Sequence, residues 1–232
     1  SGRTAVSRLV RDDRAPSSSR RNPFLHLGPM PFQPIYLASA SPRRHDLLTS
    51  IQITHEVLAV PSPAGEDEPR LAQETVLEYV RRTARDKLQR ALQWRAQNSQ
   101  LDQERAILSA DTTVSMGEDI FGKPADPSDA ARILRELSGR GPKVRTALSL
   151  GVGGVDFESI SISEVSFKTL SEQEIQEYCA GGEPMGKAGA YGIQGLGGAF
   201  VSHLSGSYTG VMGLPVHETY RLLELANLKL RT

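Results

Sequence analysis

Apolar segments of strand length alternate with amphipathic segments of helical length along most of this chain, and this alternation restricts its fold most strongly. The longest helical pattern covers residues 74–97. Such alternation is typical of α/β proteins, in which helices cover both faces of a mainly parallel or mixed sheet. Residues 143–152 and 158–168 form a predicted hairpin around Gly153 and Gly154, which argues against a purely parallel sheet. The sequence therefore predicts a three-layer α/β fold with a mixed sheet.

The predicted boundaries follow the hydrophobic periodicity and the capping residues. Ser41 is a predicted N-cap with Pro42 at the first helical position, and Ser171 with Glu174 forms a predicted capping box. The predicted strands cover residues 35–39, 53–60, 106–116, 143–152 and 158–168; the predicted helices cover 42–50, 74–97, 127–139, 171–181 and 216–228. Ligands of such sheets bind beyond the carboxyl ends of strands, so the junction of the first strand and first helix is a candidate site.

Composition excludes several classes of protein. The chain has 27 basic and 27 acidic residues, and this neutral balance argues against a large basic surface for nucleic acid. Cys179 is the single cysteine, which excludes an intramolecular disulfide and zinc sites with two or more cysteines. A lone buried cysteine fits a reducing compartment such as the cytoplasm. No apolar stretch reaches the roughly 18 residues of a membrane span.

The first 33 residues differ in composition from the rest of the chain. They are rich in Ser, Arg and Pro and have weak apolar periodicity, which predicts a disordered or loosely attached extension. An organelle transit segment is an alternative, although Asp12 and Asp13 disfavour an amphipathic basic helix there. We expect residues 34–232 to form one domain.

Two arginines stand where a helix least favours cations. Arg43 and Arg44 directly follow Pro42, and the positive end of the helix dipole disfavours each by about 0.3 to 1 kcal/mol. That cost disappears if a multivalent anion binds there, because backbone N–H groups, two guanidinium groups and the hydroxyls of Ser39 and Ser41 would all contact it. A phosphate chain fits this chemistry best. A solvated pair of surface arginines is the alternative.

The long helix carries a lysine beside its apolar stripe. Lys87 falls within about 20° of Val80 on a helical wheel. A lysine on a buried face needs an anionic partner or must extend its ammonium group to solvent. The stripe itself consists of Leu77, Val80, Ala84, Leu88 and Ala91.

Three further segments could carry chemistry. Asp111 interrupts an apolar strand pattern in SADTTV, as a metal ligand, a general base or a turn cap. Lys123 in FGKP is another candidate phosphate contact. The glycine-rich stretch around Lys187 would let backbone approach a ligand, with Tyr191 and Gln194 available to a nucleotide base. A purely structural glycine-rich loop is the alternative.

Four of these segments together resemble the Maf family of nucleoside triphosphate pyrophosphatases. They are LASASPRRHDLL, SADTTV with FGKP, LSGR, and GEPMGKAGAYGIQGLGGAFVSHLSGSYTGVMGLPV. The resemblance extends from about Ile35 to about Leu228 and follows the family's motif order. It implies an inosine-triphosphatase-like α/β fold, usually in a homodimer. It also implies metal-dependent hydrolysis of a nucleoside triphosphate to the monophosphate and pyrophosphate, with Mg²⁺ or Mn²⁺.

The same resemblance assigns roles to individual residues. Asp111 matches the family's catalytic aspartate and a metal ligand. The specificity positions are Arg43, Thr112 and Gln194, and the anion-binding or catalytic positions are Ser41, Arg44, Lys87, Lys123 and Lys187. The pairing of Asp111 and Thr112 with YGIQG resembles the subgroup that acts on dTTP and UTP.

The sequence also departs from the family pattern. Gly186 stands where members often have an aspartate before the lysine. Among the acidic residues of the PSPAGEDEP loop, Glu68 is our choice for a second metal ligand. The alternative function is a non-catalytic nucleotide-binding regulator of cell division. A nucleic-acid-binding role is disfavoured by the neutral charge and by the lack of an aromatic-basic motif.

Overall fold

The computed structural model describes residues 32–61 and 69–230, with side chains through residue 227. Its helices and strands follow in the order β1 Ile35–Leu37, α1 Pro42–Ser50, β2 His55–Val57, α2 Val76–Gln97, β3 Ile107–Met116, β4 Asp119–Phe121, α3 Pro127–Leu137, β5 Lys143–Val152, β6 Val155–Phe167, α4 Glu172–Ala180, β7 Val201–Ser205, α5 Tyr208–Met212 and α6 Val216–Leu230. Two 3₁₀ turns, Ala188–Ala190 and Leu196–Phe200, lie between α4 and β7.

The strands form a seven-stranded mixed sheet. Its order is β2-β1-β3-β5-β6-β7, and β4 pairs with the far part of β3. β1 is parallel to both of its neighbours, whereas β3, β5, β6 and β7 pair antiparallel. The predicted hairpin is the β5–β6 pair, in which Val152 lies opposite Val155. The mixed sheet that the sequence predicts is therefore confirmed.

Helices cover both faces of the sheet, and the alternation of side chains along each strand shows which helix lies where. Tyr36 and Ile107 pack with Leu88 of α2 on one face. Their neighbours Leu37 and Leu108 pack with residues of α1 and α6 on the other face. The helices α3 and α4 extend that second face through a separate cluster around Val114, Val144 and Val165. The three-layer arrangement follows from these contacts.

The helix α2 illustrates how the sequence fixes an element. The Thr75 hydroxyl accepts a hydrogen bond from the Glu78 N–H, and Glu78 in turn accepts from the Thr75 N–H, which forms a capping box. Such a cap stabilises a helix by about 1 kcal/mol. Val80, Ala84, Leu88 and Ala91 of the predicted stripe are fully buried. Leu77 is an error of the prediction, since it is 37% exposed, whereas Val76 beside it in the first turn is buried.

Most predicted elements are present with boundaries within a few residues. The capping box of Ser171 and Glu174 is confirmed, and Cys179 is buried in a hydrophobic cluster as expected. Ser41 is the N-cap of α1 and Pro42 follows it, as predicted, although the Ser41 hydroxyl makes no capping hydrogen bond. The second predicted strand is only three residues long because β2 pairs along a three-residue register with β1.

The predicted extension of residues 1–33 lies outside the described residues except at its last two positions. Phe32 packs edge to face on Tyr220 of α6, with ring centroids 5.0 Å apart. Phe32 therefore packs against the cluster on the second face of the sheet. None of the described helices combines the length and the apolar composition that a membrane span requires.

Candidate active site

The unequal lengths of β1 and β3 open a notch in the sheet. The last pair between these strands joins Leu37 to Leu108, whereas β3 continues to Met116 and meets β4 only from Val114 onward. The intervening edge of β3, residues 109–113, lies beyond the carboxyl end of β1 and beside the start of α1. This is the place at which open α/β sheets bind their ligands.

Asp111 lies in the middle of this notch on the side of β3 that faces α2. Lys87 of α2 donates a hydrogen bond to Oδ1 of Asp111 and forms an ion pair with it. Of the two alternatives for a lysine on a buried face, the structure shows an anionic partner: Lys87 pairs with Asp111 on the neighbouring strand. Both side chains keep some exposure, 34% for Lys87 and 16% for Asp111, so a ligand in the notch can reach them.

Arg44 approaches the opposite side of the same strand. Its Nε donates to the Gly213 carbonyl at 2.7 Å, its Nη1 to the Ser39 hydroxyl at 3.0 Å, and its Nη2 to the Thr112 hydroxyl at 3.2 Å. All three acceptors are neutral. The guanidinium group is thus held in one orientation by three separate elements, without a direct hydrogen bond to a carboxylate among the described residues.

The charge of Arg44 is incompletely compensated in its position. Burial lowers the pKa of Arg44, the nearby carboxylate of Asp111 partly offsets this, and the charge of Arg43 lowers the pKa further. A buried cation without a directly bonded anion is electrostatically costly. An anion that enters the notch would remove that cost, which makes Arg44 a strong candidate for a phosphate contact.

A chain of hydroxyl groups supports Arg44 from behind. Thr146 of β5 donates to the Gly210 carbonyl at 2.8 Å, and its Oγ1 lies 2.9 Å from Oγ1 of Thr112. Because the single Thr146 proton is used on that carbonyl, Thr112 must donate to Thr146 and accept from Arg44. The hydroxyl proton of Thr112 is therefore directed away from the notch, and the group orients Arg44.

The two serines before α1 differ in their contacts. The Ser39 hydroxyl accepts from the Ser41 N–H at 3.2 Å as well as from Arg44, so it ties the end of β1 to the start of α1. The Ser41 hydroxyl has no hydrogen-bond partner among the described residues and remains available to a ligand. The predicted convergence of Ser39 and Arg44 is present, with Ser39 acting through Arg44.

A second pair of cations lies where α1 meets the glycine-rich stretch. Arg43 donates from Nε to the Met212 carbonyl at 3.3 Å, and Lys187 donates from Nζ to the Glu183 carbonyl. Burial lowers the pKa of Lys187, and the charge of Arg43 lowers it further, so the two cations are close enough to interact. Two like charges held together in this way favour a polyvalent anion between them.

The remaining predicted residues have looser relations to the notch. Lys123 is exposed just after β4, and its neighbour Gly122 accepts a hydrogen bond from the Gly189 N–H at 3.1 Å, which joins this loop to the Lys187 segment. Gln194 is exposed on the glycine-rich stretch. Neither side chain forms a hydrogen bond or ion pair with the other predicted site residues in the described part of the chain. Glu68 lies outside the described residues.

The described residues offer one carboxylate to a metal ion in the notch. Within residues 32–61 and 69–230, no group of three or more His, Cys, Asp or Glu side chains is close enough to hold a metal. Oδ1 of Asp111 accepts from Lys87, and Oδ2 has no hydrogen-bond partner among the described residues. Mg²⁺ is commonly bound by one or two carboxylates together with waters and substrate phosphates. Asp111 fits that pattern, with phosphate and water completing the coordination.

Two residues of this site escaped the sequence prediction. Thr146 gives no signal because threonine is common in strands, and only the three-dimensional pairing with Thr112 assigns it a partner. Glu183 was detectable, since it is the single acidic residue between Gly181 and Gly198. The backbone at Gly186 has φ of +71°, a left-handed conformation that favours glycine and that aspartate tolerates better than most other side chains.

Comparison with known proteins gives a consistent result. A family model described as "Maf-like protein" matches residues 34–226. A protein of Bordetella pertussis named dTTP/UTP pyrophosphatase is 54% identical over 194 residues, which cover 84% of this chain and 93% of the relative. A protein of Chromobacterium violaceum with the same name is 49% identical over 189 residues, which cover 82% of this chain and 92% of the relative. This chain therefore belongs to the Maf-like protein family.

Proposed function

We propose that this protein is a metal-dependent nucleoside triphosphate pyrophosphatase that hydrolyses dTTP and UTP to the monophosphate and pyrophosphate. The names of the curated relatives support this choice of substrate. The observation that carries the proposal is the notch itself, where one carboxylate, Asp111, lies between the cations Lys87 and Arg44. A polyphosphate is the ligand that satisfies both cations at once.

The phosphate chain would be held by cations from three parts of the chain. Arg44 is fixed in orientation before any ligand binds, so it pays little conformational entropy on contact. Arg43 and Lys187 offer a second pair of charges, with Lys123 on the adjoining loop. Hydrolysis between the α- and β-phosphates develops negative charge on the departing pyrophosphate, and positive groups fixed beforehand stabilise that charge.

Asp111 would act on the attacking water. Its Oδ2 is available either to accept the proton of that water or to hold Mg²⁺ or Mn²⁺, and the family resemblance is compatible with both roles. A divalent ion bound there would neutralise phosphate charge and lower the pKa of a bound water. Lys87 orients the carboxylate through its ion pair and supplies a further positive charge beside the phosphates.

The base would be recognised on the glycine-rich stretch. Gln194 carries both a donor and an acceptor on one amide, which matches the O4 and N3–H edge shared by uracil and thymine. Cytosine presents the reversed pattern, an N4–H donor and an N3 acceptor, which the amide meets only after exchanging the positions of its oxygen and nitrogen, so a Gln194 amide held in one orientation would disfavour it. Selectivity for dTTP and UTP over CTP is the expected consequence.

A substrate screen with the purified protein tests the proposal. Pyrophosphate release is measured for dTTP, UTP, CTP, dATP, GTP and 7-methyl-GTP with Mg²⁺, with Mn²⁺ and with chelator. We expect release from dTTP and UTP that depends on a divalent ion, with nucleoside monophosphate as the second product. Tight nucleotide binding without turnover would instead support the regulator of cell division. Release of inorganic phosphate in place of pyrophosphate would contradict the proposed bond cleavage.

Three further expectations stay predictions, the first from the resemblance and the other two from composition. They are homodimeric assembly, a cytoplasmic location and the absence of a nucleic-acid partner. Light scattering on the purified protein measures the first. A salt-dependent mobility shift with DNA or RNA would contradict the third.

A further inference from the structure

The glycine-rich stretch closes around a carboxylate of the protein itself. The side chain of Glu183 accepts hydrogen bonds from the N–H groups of Leu196 and Gly197, both at 3.0 Å, and from the Tyr178 hydroxyl at 2.9 Å. The sequence pattern predicted that these glycines let backbone approach a ligand. In the structure, the group that the backbone approaches is Glu183.

The glycines are required by this close approach. A Cβ atom on Gly195 would lie 2.6 Å from a carboxylate oxygen of Glu183, and one on Gly197 would lie 2.6 Å from the Tyr178 hydroxyl. Both distances are shorter than any ordinary contact. The segment from Gly192 to Gly198 therefore takes its shape from Glu183 and Tyr178, and Gln194 lies in the middle of that segment.

The charge of Glu183 is maintained inside this loop. Burial raises the pKa of Glu183, but the hydrogen bonds from Gly197, Leu196 and Tyr178 lower it by more, so its net pKa is below the usual range. The carboxylate is thus ionised near neutral pH and acts only as an acceptor. A neutral amide in its place would direct N–H hydrogens at one of the backbone N–H donors.

The backbone of Glu183 also contacts Lys187, one of the proposed phosphate-binding residues. Its carbonyl accepts a hydrogen bond from Nζ of Lys187, which leaves two donors of that ammonium group for a ligand. One residue thereby holds both Lys187 and the loop that carries Gln194. This coupling would keep the distance between the phosphate contact and the base contact fixed.

We propose that Glu183 is a positioning residue for base selectivity, which holds the Gly192–Gly198 segment so that Gln194 meets the pyrimidine edge. This inference rests on the proposed function. Its carboxylate touches no substrate atom in this account and acts through the backbone of Leu196 and Gly197. The effect of losing it should therefore fall on discrimination between bases and on KM for UTP rather than on the chemical step.

The test compares Glu183→Gln with Tyr178→Phe and with a matched control, Glu177→Gln. Glu177 is an exposed residue of α4 that accepts from Gln173, so its substitution removes the same charge near the same loop. For Glu183→Gln we expect the UTP-to-CTP ratio of kcat/KM to fall about tenfold or more, mainly through KM for UTP. Tyr178→Phe removes one of the three donors to Glu183 and the acceptor of the Gly192 N–H, but it leaves the carboxylate with both backbone donors and should give a smaller fall. The control should keep the ratio of the unmodified protein.

Amide hydrogen exchange supplies a readout that is independent of turnover. In Glu183→Gln the amides of Leu196 and Gly197 should exchange faster, whereas amides of the β5–β6 hairpin should not change. An unchanged selectivity ratio in an active, folded Glu183→Gln protein would overturn the inference, and so would unchanged exchange at Leu196 and Gly197. If the unmodified protein releases no pyrophosphate from any triphosphate, the proposed function fails first and the selectivity role fails with it.

Discussion

Cations lie on both sides of strand β3, and their charges are compensated to different degrees. On the side facing α2, the charge of Lys87 is compensated by a direct ion pair with Asp111. On the opposite side, Arg44 has three hydrogen bonds to neutral oxygens, and the nearest named carboxylate, that of Asp111, acts on it only at longer range. One strand thus separates a cation compensated by a direct ion pair from a cation compensated only in part.

The difference indicates that Arg44 and Lys87 act at different stages of ligand binding. Arg44 keeps much of its positive potential in the notch, because its hydrogen bonds among the described residues go to neutral oxygens and Asp111 offsets its charge only in part. Lys87 already donates one of its three N–H groups to Asp111, so a phosphate that takes the others competes with Asp111 for its charge. An incoming polyphosphate would thus meet Arg44 first, and the release of Asp111 toward water or metal would follow from the competition for Lys87.

Asp111→Asn removes the carboxylate that pairs with Lys87 on the α2 side of β3. We expect this variant to have the largest effect on activity. The rate of pyrophosphate release from dTTP should fall about 10²- to 10⁴-fold, the usual contribution of a catalytic base or metal ligand. Binding of dTTP without metal should be equal or tighter, because Lys87 no longer has an anionic partner. Steady-state kinetics and calorimetric titration measure the two quantities separately.

The control for this variant is Asp119→Asn, which removes an exposed carboxylate of β4. It should leave both quantities within about twofold, as exposed substitutions normally do. Turnover by Asp111→Asn near the rate of the unmodified protein would refute the assignment of Asp111. Weaker metal-free binding would refute the compensation by Lys87.

Arg44→Gln removes the cation on the other side of β3, where no direct ion pair among the described residues compensates the charge. Loss of a charge-assisted contact costs about 1.5 to 3 kcal/mol, so kcat/KM for dTTP should fall about 10- to 100-fold. Arg44→Lys keeps the charge but cannot reproduce three hydrogen bonds in a fixed plane, and it should recover only part of the loss. The dependence of KM on salt concentration separates the contribution of the charge from that of the oriented hydrogen bonds.

Arg135→Gln is the matched control for Arg44→Gln, since Arg135 pairs with Glu172 on the surface between α3 and α4. Its kcat/KM should stay close to that of the unmodified protein. Full recovery in Arg44→Lys would show that charge alone matters and that the three oriented hydrogen bonds do not.

The fold was predictable from the sequence wherever a segment was long and periodic. The helix α2 and the β5–β6 hairpin are both long enough for the periodicity of their hydrophobic residues to predict them. The short strands β4 and β7 and the short helix α5 escaped prediction. Three to five residues are too few for periodicity, and their structure depends on pairing with distant segments.

The site was predictable where a residue conflicts with its local environment. Asp111 in an apolar strand and Lys87 on a buried stripe each signal a partner, and each proves to be the partner of the other. Arg43 and Arg44 look equivalent in sequence, yet adjacent helical positions differ by about 100°, so only Arg44 reaches Thr112. That asymmetry depends on where the Gly213 turn lies, which local sequence does not specify.

The smallest expected effect concerns the hydroxyl chain that supports Arg44. Thr146→Val removes the partner to which Thr112 donates, so Thr112 can turn its proton toward the notch and compete with Arg44. One neutral hydrogen bond is worth about 1 kcal/mol, so kcat/KM for dTTP should fall about fivefold. Thr146→Ser should restore it, because serine keeps the hydroxyl. Thr219→Val is the matched control, since Thr219 is equally buried and donates to the carbonyl of Pro215 just before α6, with no hydrogen bond to Thr112 or Arg44 among the described residues. Equal losses of activity in Thr146→Val and Thr219→Val would mean that the effect is one of stability, and Arg44 would then be held without help from β5.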